Sequence, residues 1–288
     1  MAALLQTQGL THLYSVGTPF EHLAVDHVDF TAERGEFIGI IGHTGSGKST
    51  FVQHLNGLLK PTEGKVLLDG EDIFASTAAL RRARSRVGLV FQYPEYQLFE
   101  ETVYRDIAYG PRNLKLTETE IDERVREAAD FVGLPEELLQ QSPFDISGGQ
   151  RRRAAIAGVI AMRPDVLVLD EPTAGLDPAG RAEIIANIRR YHRARGGTVL
   201  YITHSMEDIA RFADRLVVFH RGHLVMNGSP EAVFGRAAEL EQIGLSVPMV
   251  TRICDALKRR GLDLGTGIYT VEAAVRALTD GRGGNPHA

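Results

Sequence analysis

Apolar positions along this chain fall into three kinds of spacing. Near the start, LLQTQGL and LAVDHVDFTA alternate apolar with polar residues, which turns one face of each segment inward and predicts a pair of antiparallel strands. EFIGIIG, VGLVF, VLVLD and TVLYIT are continuous apolar runs, the pattern of strands covered on both faces. STFVQHLNGLL, LRRARSRV, TETEIDERVREAADFVGL, GGQRRRAAIAGVIAM and GRAEIIANIRRYHRA repeat their apolar residues at helical spacing. GKVLLDGEDI reads as one further strand and RLVVFHRGHLVMNG as a hairpin. Strands alternating with helices predict an α/β fold with a parallel sheet, preceded by an antiparallel β subdomain. Residues from about 101 to 164 carry helical periodicity with little strand signal, as a helical subdomain inserted between strands would. From 229 to 280 the pattern predicts a C-terminal region of two or three short amphipathic helices, and GRGGNPHA, 281–288, reads as a disordered tail.

Composition narrows this picture. The 288 residues suffice for one α/β domain with an appendage, not for two such domains in tandem. With 32 Lys and Arg against 37 Asp and Glu, the totals point neither to a polybasic nucleic-acid face nor to an acidic tail, and no nucleic-acid partner is expected. Cys254 is the single cysteine, which excludes an internal disulfide and a cysteine-only metal cluster and suits a reducing compartment such as the cytosol. Membrane-spanning helices need about 20 consecutive apolar residues, and no run approaches that. The opening MAALLQTQGLTHLY lacks the basic flank and cleavage pattern of a signal peptide. A membrane, if one is involved, is expected to be touched through partners.

Chemistry enters at GHTGSGKST, residues Gly42, His43, Thr44, Gly45, Ser46, Gly47, Lys48, Ser49 and Thr50, set between a predicted strand and a predicted helix. This is the phosphate-binding loop pattern. Its glycines let backbone N–H groups close around phosphate oxygens, and the helix N-terminus adds a positive dipole end. Lys48 reaches the β and γ phosphates and the Ser49 hydroxyl ligates magnesium, so ATP and Mg2+ are the expected ligands. VLVLDE ends an apolar strand in two carboxylates. As such a strand ends, one acid can face a metal and the other the water beside the γ phosphate, which assigns Asp170 to magnesium and Glu171 to general base. The arginines of GGQRRR, Arg151, Arg152 and Arg153, read as a solvated or partner-facing surface, the usual fate of a charge run.

With these motifs in place, Ile146-Ser147-Gly148-Gly149-Gln150 resembles the signature motif of the ATP-binding-cassette family, with isoleucine where leucine is usual. The swap conserves volume and apolar character. The resemblance implies a P-loop ATPase core over residues 1–228, and a dimer in which Ser147, Gly148, Gly149 and Gln150 meet the γ phosphate held by the opposite subunit. It further implies that Gln92 senses magnesium and the attacking water, that Asp177 in AGLDP communicates across the dimer, and that His204 contacts the γ phosphate and positions Glu171. Tyr14 takes the place of the aromatic that stacks on adenine in this family, with Phe20 as competitor.

FQYPEYQLFEETV, YGPRN, SPFDISGGQRRRAAIAGVIAM and LDEPTAGLDPAGR together resemble the ATPase subunits of energy-coupling-factor transporters, importers of vitamins and transition metals. Of their two ATPase types, the chain is most similar to the second, which pairs with a sister ATPase. The resemblance implies an ATP-hydrolysing motor, peripheral on the cytoplasmic face of the membrane. Its partners would be a sister ATPase, a transmembrane coupling protein and, through the complex, a substrate-binding membrane protein. In such transport cassettes the stretch after the glutamine helps form a groove for a cytoplasmic helix of the membrane subunit. Tyr93, Tyr96, Leu98 and Phe99 would be its apolar anchors, with Glu95, Glu100 and Glu101 facing basic residues of that helix. Residues 229–280 would be the dimer-forming region of this family. A homodimeric ATPase of a dedicated cobalt or nickel importer shares most of these words and is the alternative.

Overall fold

A computed structural model describes residues 3–262 and 264–280. The tail at 281–288 lies outside the described residues. Strands β1 (Ala3–Tyr14), β2 (His22–Glu33), β4 (Glu63–Leu68) and β5 (Glu71–Asp72) form an antiparallel sheet in the order β2-β1-β4-β5. A second sheet takes β3 (Phe37–Gly42), β6 (Val87–Val90), β7 (Val166–Asp170), β8 (Thr198–Ile202), β9 (Arg215–His220) and β10 (His223–Gly228) in the order β10-β9-β3-β8-β7-β6. Within it β9, β3, β8, β7 and β6 are parallel, and β10 closes the edge as the antiparallel arm of a hairpin.

The continuous apolar runs have a direct explanation. Successive residues of a strand point to opposite faces. Accordingly Leu167 and Leu169 of β7 and Val199 and Tyr201 of β8 enter one core with the helices, while Val166, Val168, Leu200 and Ile202 enter another. That second core also contains Phe51, Val52 and Leu55 of α1 (Lys48–Leu55) together with inward residues of the antiparallel sheet.

Helix α2 (Thr77–Arg86) leads into β6. Between β6 and β7 stand α3 (Val103–Asn113), α4 (Glu118–Phe131) and α5 (Gly148–Ile160), and α6 (Pro178–Arg195) crosses between β7 and β8. Threonine or serine caps fix where α3, α4 and α5 begin: Thr102, Thr117 and Ser147 each accept a backbone N–H from the first turn, the last two in full capping boxes. Helix α7 (Met206–Phe212) follows β8.

Two expectations are corrected. GKVLLDGEDI is two strands, because Asp69 and Gly70 both adopt positive φ, 50° and 80°, and make a two-residue hairpin turn between β4 and β5. Among the described residues beyond 229 there are four helices rather than two or three: α8 (Pro230–Phe234), α9 (Ala237–Gln242), α10 (Met249–Arg259) and α11 (Val271–Asp280). The first two span 5 and 6 residues, less than two turns, too short for helical apolar spacing to repeat in the sequence.

Candidate active site

The carboxyl ends of four neighbouring parallel strands carry the candidate residues. In sheet order, the phosphate loop follows β3, His204 lies two residues past β8, Glu171 follows β7 and Gln92 lies two residues past β6. Strands in a sheet stand about 4.8 Å apart, so residues more than a hundred positions distant in sequence converge on one ridge. Crevices at such strand ends are where open α/β sheets bind ligands.

Gly47 caps α1 at φ 99°, and a Cβ there would sit 2.3 Å from the carbonyl oxygen of Ala24. Only glycine fits both the conformation and the approach. Lys48, 5% exposed, donates its ammonium hydrogens to the carbonyls of Gly42 and His43 at 2.7 and 2.9 Å. Burial pushes its pKa down, opposed by the charges of Glu171 and Asp170. The loop lines a cleft of about 480 Å³ whose walls include Tyr14, residues 44–50, Gln92, Glu171 and His204. His22 and Ala24, which sequence reasoning did not single out, complete it.

Asp170 is 6% exposed, and burial raises its pKa; a hydrogen bond with Ser49 works against that shift, while the neighbouring Glu171 charge adds to it. A buried carboxylate of this kind is stabilised in its charged form by a cation. Its donor set is the one magnesium uses, one carboxylate and one hydroxyl with the other positions left to water and phosphate oxygens. No cluster of three or more His, Cys, Asp or Glu side chains competes for a metal among the described residues.

Glu171 sits at φ 48°, in the left-handed region, just past the end of β7. A non-glycine residue there stores roughly 1–3 kcal/mol of strain. Its backbone N–H is held by Ile202 at 3.1 Å. The carboxylate is gripped from both sides, by His204 Nε2 at 2.8 Å from Oε1 and by the Gln92 side-chain amide donating to Oε2 at 3.0 Å. Glu171 and His204 also wall a second cleft, of about 350 Å³, that reaches Arg181.

Tyr14 is 38% exposed, its hydroxyl 3.3 Å from Thr50 Oγ1 and its ring edge-on to His12. Phe20, 83% exposed, is not among the cleft walls. Asp177 stands apart from the cleft and caps α6, its carboxylate accepting the Gly180 N–H at 2.8 Å. Ser147 and Gln150 close the capping box that opens α5, over the buried Ile146. Gly149 has normal φ and, its chain neighbours and own helix backbone aside, no described atom within 4 Å of where a Cβ would be, and on the same terms Gly148 meets nothing closer than Arg151 at 4.0 Å. Nothing among the described residues demands glycine at either position.

The stretch after Gln92 forms a short 3-10 turn, Pro94–Gln97, that leaves Tyr93, Tyr96 and Phe99 largely exposed. Phe99 packs edge-on against the exposed Tyr109, at 5.1 Å between centroids. Leu98 instead packs against the helical core, so it contributes less to that surface than the three rings. Asp106, buried and missed by sequence reasoning, accepts the N–H groups of Phe99 and Glu100 and so fixes the path of this segment. Burial raises its pKa, against those two hydrogen bonds.

The arginine run is a correction. Arg152 is 3% exposed and forms a bidentate ion pair with Glu95, so it is not solvated surface and Glu95 is not free to face a partner. Arg153 pairs with Glu183. The signal was present: Arg152, Ile156 and Ile160 share the i, i+4, i+8 stripe that α5 buries.

The family model described as ABC transporter matches residues 25–174, a span that runs from β2 through the phosphate loop, signature and Glu171. The chain belongs to the ABC transporter family. It is 51% identical over 277 residues to the energy-coupling factor transporter ATP-binding protein EcfA2 of Clostridium perfringens, covering 96% of this chain and 97% of that one. The protein of the same name from Symbiobacterium thermophilum is 52% identical over 271 residues, 94% of each chain. Among solved structures, the cassette resembles CbiO1 from Clostridium perfringens, described as part of the ABC transporter complex CbiONQ, with TM-score 0.74 and 36% identity over 88% of this chain and all of that one. It also resembles an ATP-binding cassette solved as a dimer with ADP and phosphate, with TM-score 0.70 and 28% identity over 79% of this chain and 99% of the other.

Proposed function

We propose that this cassette is the ATP-hydrolysing motor of an energy-coupling-factor importer, working at the cytoplasmic face of the membrane as one of two ATPases on a transmembrane coupling protein. A substrate-binding membrane protein joins through that complex, and vitamins or transition-metal ions are the cargo. The observation that carries this reading is the Glu171 carboxylate, held between Gln92 and His204 at the edge of the cleft that the phosphate loop lines. Identity near 50% to energy-coupling factor ATP-binding proteins over nearly the whole chain supports the transporter class. No helix among the described residues is long and apolar enough to cross a membrane, so the chain would meet the bilayer through partners.

In this mechanism Tyr14 offers a face to adenine, while the backbone N–H groups of residues 44–50 and the Lys48 ammonium hold the phosphates. Asp170 and Ser49, with Gln92 beside them, would hold Mg2+, which when bound neutralises charge on the phosphate oxygens. Glu171 takes the proton of the attacking water as the water oxygen bonds to the γ phosphorus and the bond from that phosphorus to the β,γ-bridging oxygen breaks, leaving inorganic phosphate and ADP. His204 and Gln92 fix the carboxylate that does so and contact the same reaction centre. Ser147, Gly148, Gly149 and Gln150 serve the phosphate bound by the opposite ATPase. The bare glycines fit that role, since a site completed from outside needs room that the isolated chain does not use. Asp177 links the two subunits, and residues 229–280 add to the dimer contact. Closure on ATP and reopening after hydrolysis would move the coupling helices seated at Tyr93, Tyr96 and Phe99.

Likeness to CbiO1 supports a second reading, a homodimeric ATPase of a dedicated cobalt or nickel importer. One experiment separates the two: trap tagged Glu171→Gln protein with ATP in its native membranes, purify it gently and identify the bound chains by mass spectrometry. One sister ATPase, one coupling protein and several small membrane proteins support the shared importer. Only the chain itself with a single membrane set supports the dedicated one, and ribosomal or DNA-bound partners overturn both.

A further inference from the structure

Arg152 is anchored in three segments at once. Its Nε and Nη2 donate to the two carboxylate oxygens of Glu95 at 2.9 and 2.6 Å. Its Nη1 donates to the carbonyl of Ala174 and, at 3.5 Å, to that of Pro172, and its guanidinium lies 5.7 Å from the centroid of the Tyr93 ring. Ala174 in turn donates its N–H to the carbonyl of Glu171 at 3.1 Å, so these carbonyls belong to the turn that carries the candidate base. Glu95 belongs to the 3-10 turn that presents Tyr93 and Tyr96. Arg152 itself is five residues past Ser147, in the helix that the signature opens.

Packing alone does not account for an arginine here. Buried ion pairs are commonly matched or bettered in stability by apolar residues of similar volume, because the charges must first leave water. Ile156 and Ile160 show what the same helical stripe otherwise holds. A forked, planar donor set does what an apolar side chain cannot: it fixes two carboxylate oxygens and backbone carbonyls of a different segment in one rigid geometry.

We propose that Arg152 is a positioning residue that transmits the state of the catalytic turn 171–174 to the exposed aromatic segment 93–99 through Glu95. The link complements the chain connection through Gln92, which touches Glu171 directly. When the turn shifts around bound nucleotide, Arg152 carries the shift to Glu95 and so to Tyr93 and Tyr96, and ties both to the signature helix. That the recipient of this motion is a membrane subunit rests on the function proposed above; the link inside the chain does not.

The test is hydrogen–deuterium exchange of the full chain with and without magnesium and a non-hydrolysable ATP analogue, comparing the parent with Glu95→Leu/Arg152→Met. The double substitution removes both charges together and leaves none buried alone. In the parent, the analogue should slow exchange at 42–50 and change it at 93–101, where the Phe99 and Glu100 amides report through Asp106. In the variant, the effect at 42–50 should stay and the effect at 93–101 should be lost. A merely structural role would change melting temperature and leave that nucleotide-dependent difference intact, which overturns the proposal, as does a parent in which 93–101 never responds. If the double variant no longer protects 42–50, Glu95→Gln replaces it: it keeps the side-chain volume and removes the charge, and the response at 93–101 should shrink several-fold. Capture of membrane proteins by the parent is scored separately, so its failure sinks the importer reading without touching the exchange result.

Discussion

His204 Nε2 stands 2.8 Å from Glu171 Oε1, and the Gln92 amide stands 3.0 Å from the other oxygen of the same carboxylate. One side chain is thus oriented from two neighbouring strand ends, β8 and β6, on either side of the strand that bears it. General-base assistance is typically worth about 10²–10⁴-fold in rate. Glu171→Gln should therefore cut steady-state ATP turnover by roughly that factor while nucleotide affinity stays within a few-fold. Undiminished turnover, measured by phosphate release, would remove Glu171 from the mechanism.

The signature glycines allow a test that separates folding from catalysis. Gly149→Ala puts a methyl group into open space on a helix of normal φ, where alanine is favoured by up to about 1 kcal/mol. Its melting temperature should hold or rise. If the proposed dimer forms, its ATP turnover should fall at least tenfold, since in that arrangement the methyl group would stand where the phosphate bound by the second subunit approaches. A melting temperature that fell in step with turnover would point to a structural glycine instead.

Tyr96 is 85% exposed and shares the 3-10 turn with Glu95. If Tyr96 belongs to the proposed coupling surface, Tyr96→Glu should leave ATP binding intact and release the chain from the proposed membrane partner, read as loss of co-purified membrane protein. Retained assembly would place the coupling surface elsewhere.

His54 gives a pH dependence with a definite sign. It is fully buried, its Nδ1 donates to the Thr50 carbonyl at 2.7 Å, and its ring packs 4.7 Å from that of His12. Burial pushes its pKa down from 6.5 to about 4, the Thr50 bond opposing and His12 assisting. As pH falls the unfolded chain binds the proton first, so His54 destabilises the fold progressively from about 6.5 down to about 4 and costs nothing above that window. At about 1.4 kcal/mol per pKa unit the full effect is roughly 3 kcal/mol. Urea midpoints across this range should slope less steeply in His54→Leu than in the parent.

What could be read from the sequence follows from how local each signal is. The phosphate loop, the VLVLDE strand end and the signature are contiguous, and each announces its chemistry within a few residues. The Asp69-Gly70 turn was equally local and simply weighs less than the apolar residues around it. Arg152 and Glu95 are 57 positions apart, and nothing in a charge run says which member faces inward except its phase with Ile156 and Ile160. Asp106 is a further case, since an acid on an otherwise buried helical face acquires its purpose only when the backbone of Phe99 and Glu100 arrives beside it.

The left-handed backbone at Glu171 sets a trap for anyone improving this protein by selection for heat resistance alone. Glycine or asparagine at that position would relax φ 48° and also remove a negative charge that opposes ionisation of Asp170. Such a screen should therefore enrich variants that outlast the parent on heating and no longer turn over ATP, so durability and work are set against each other at a single residue.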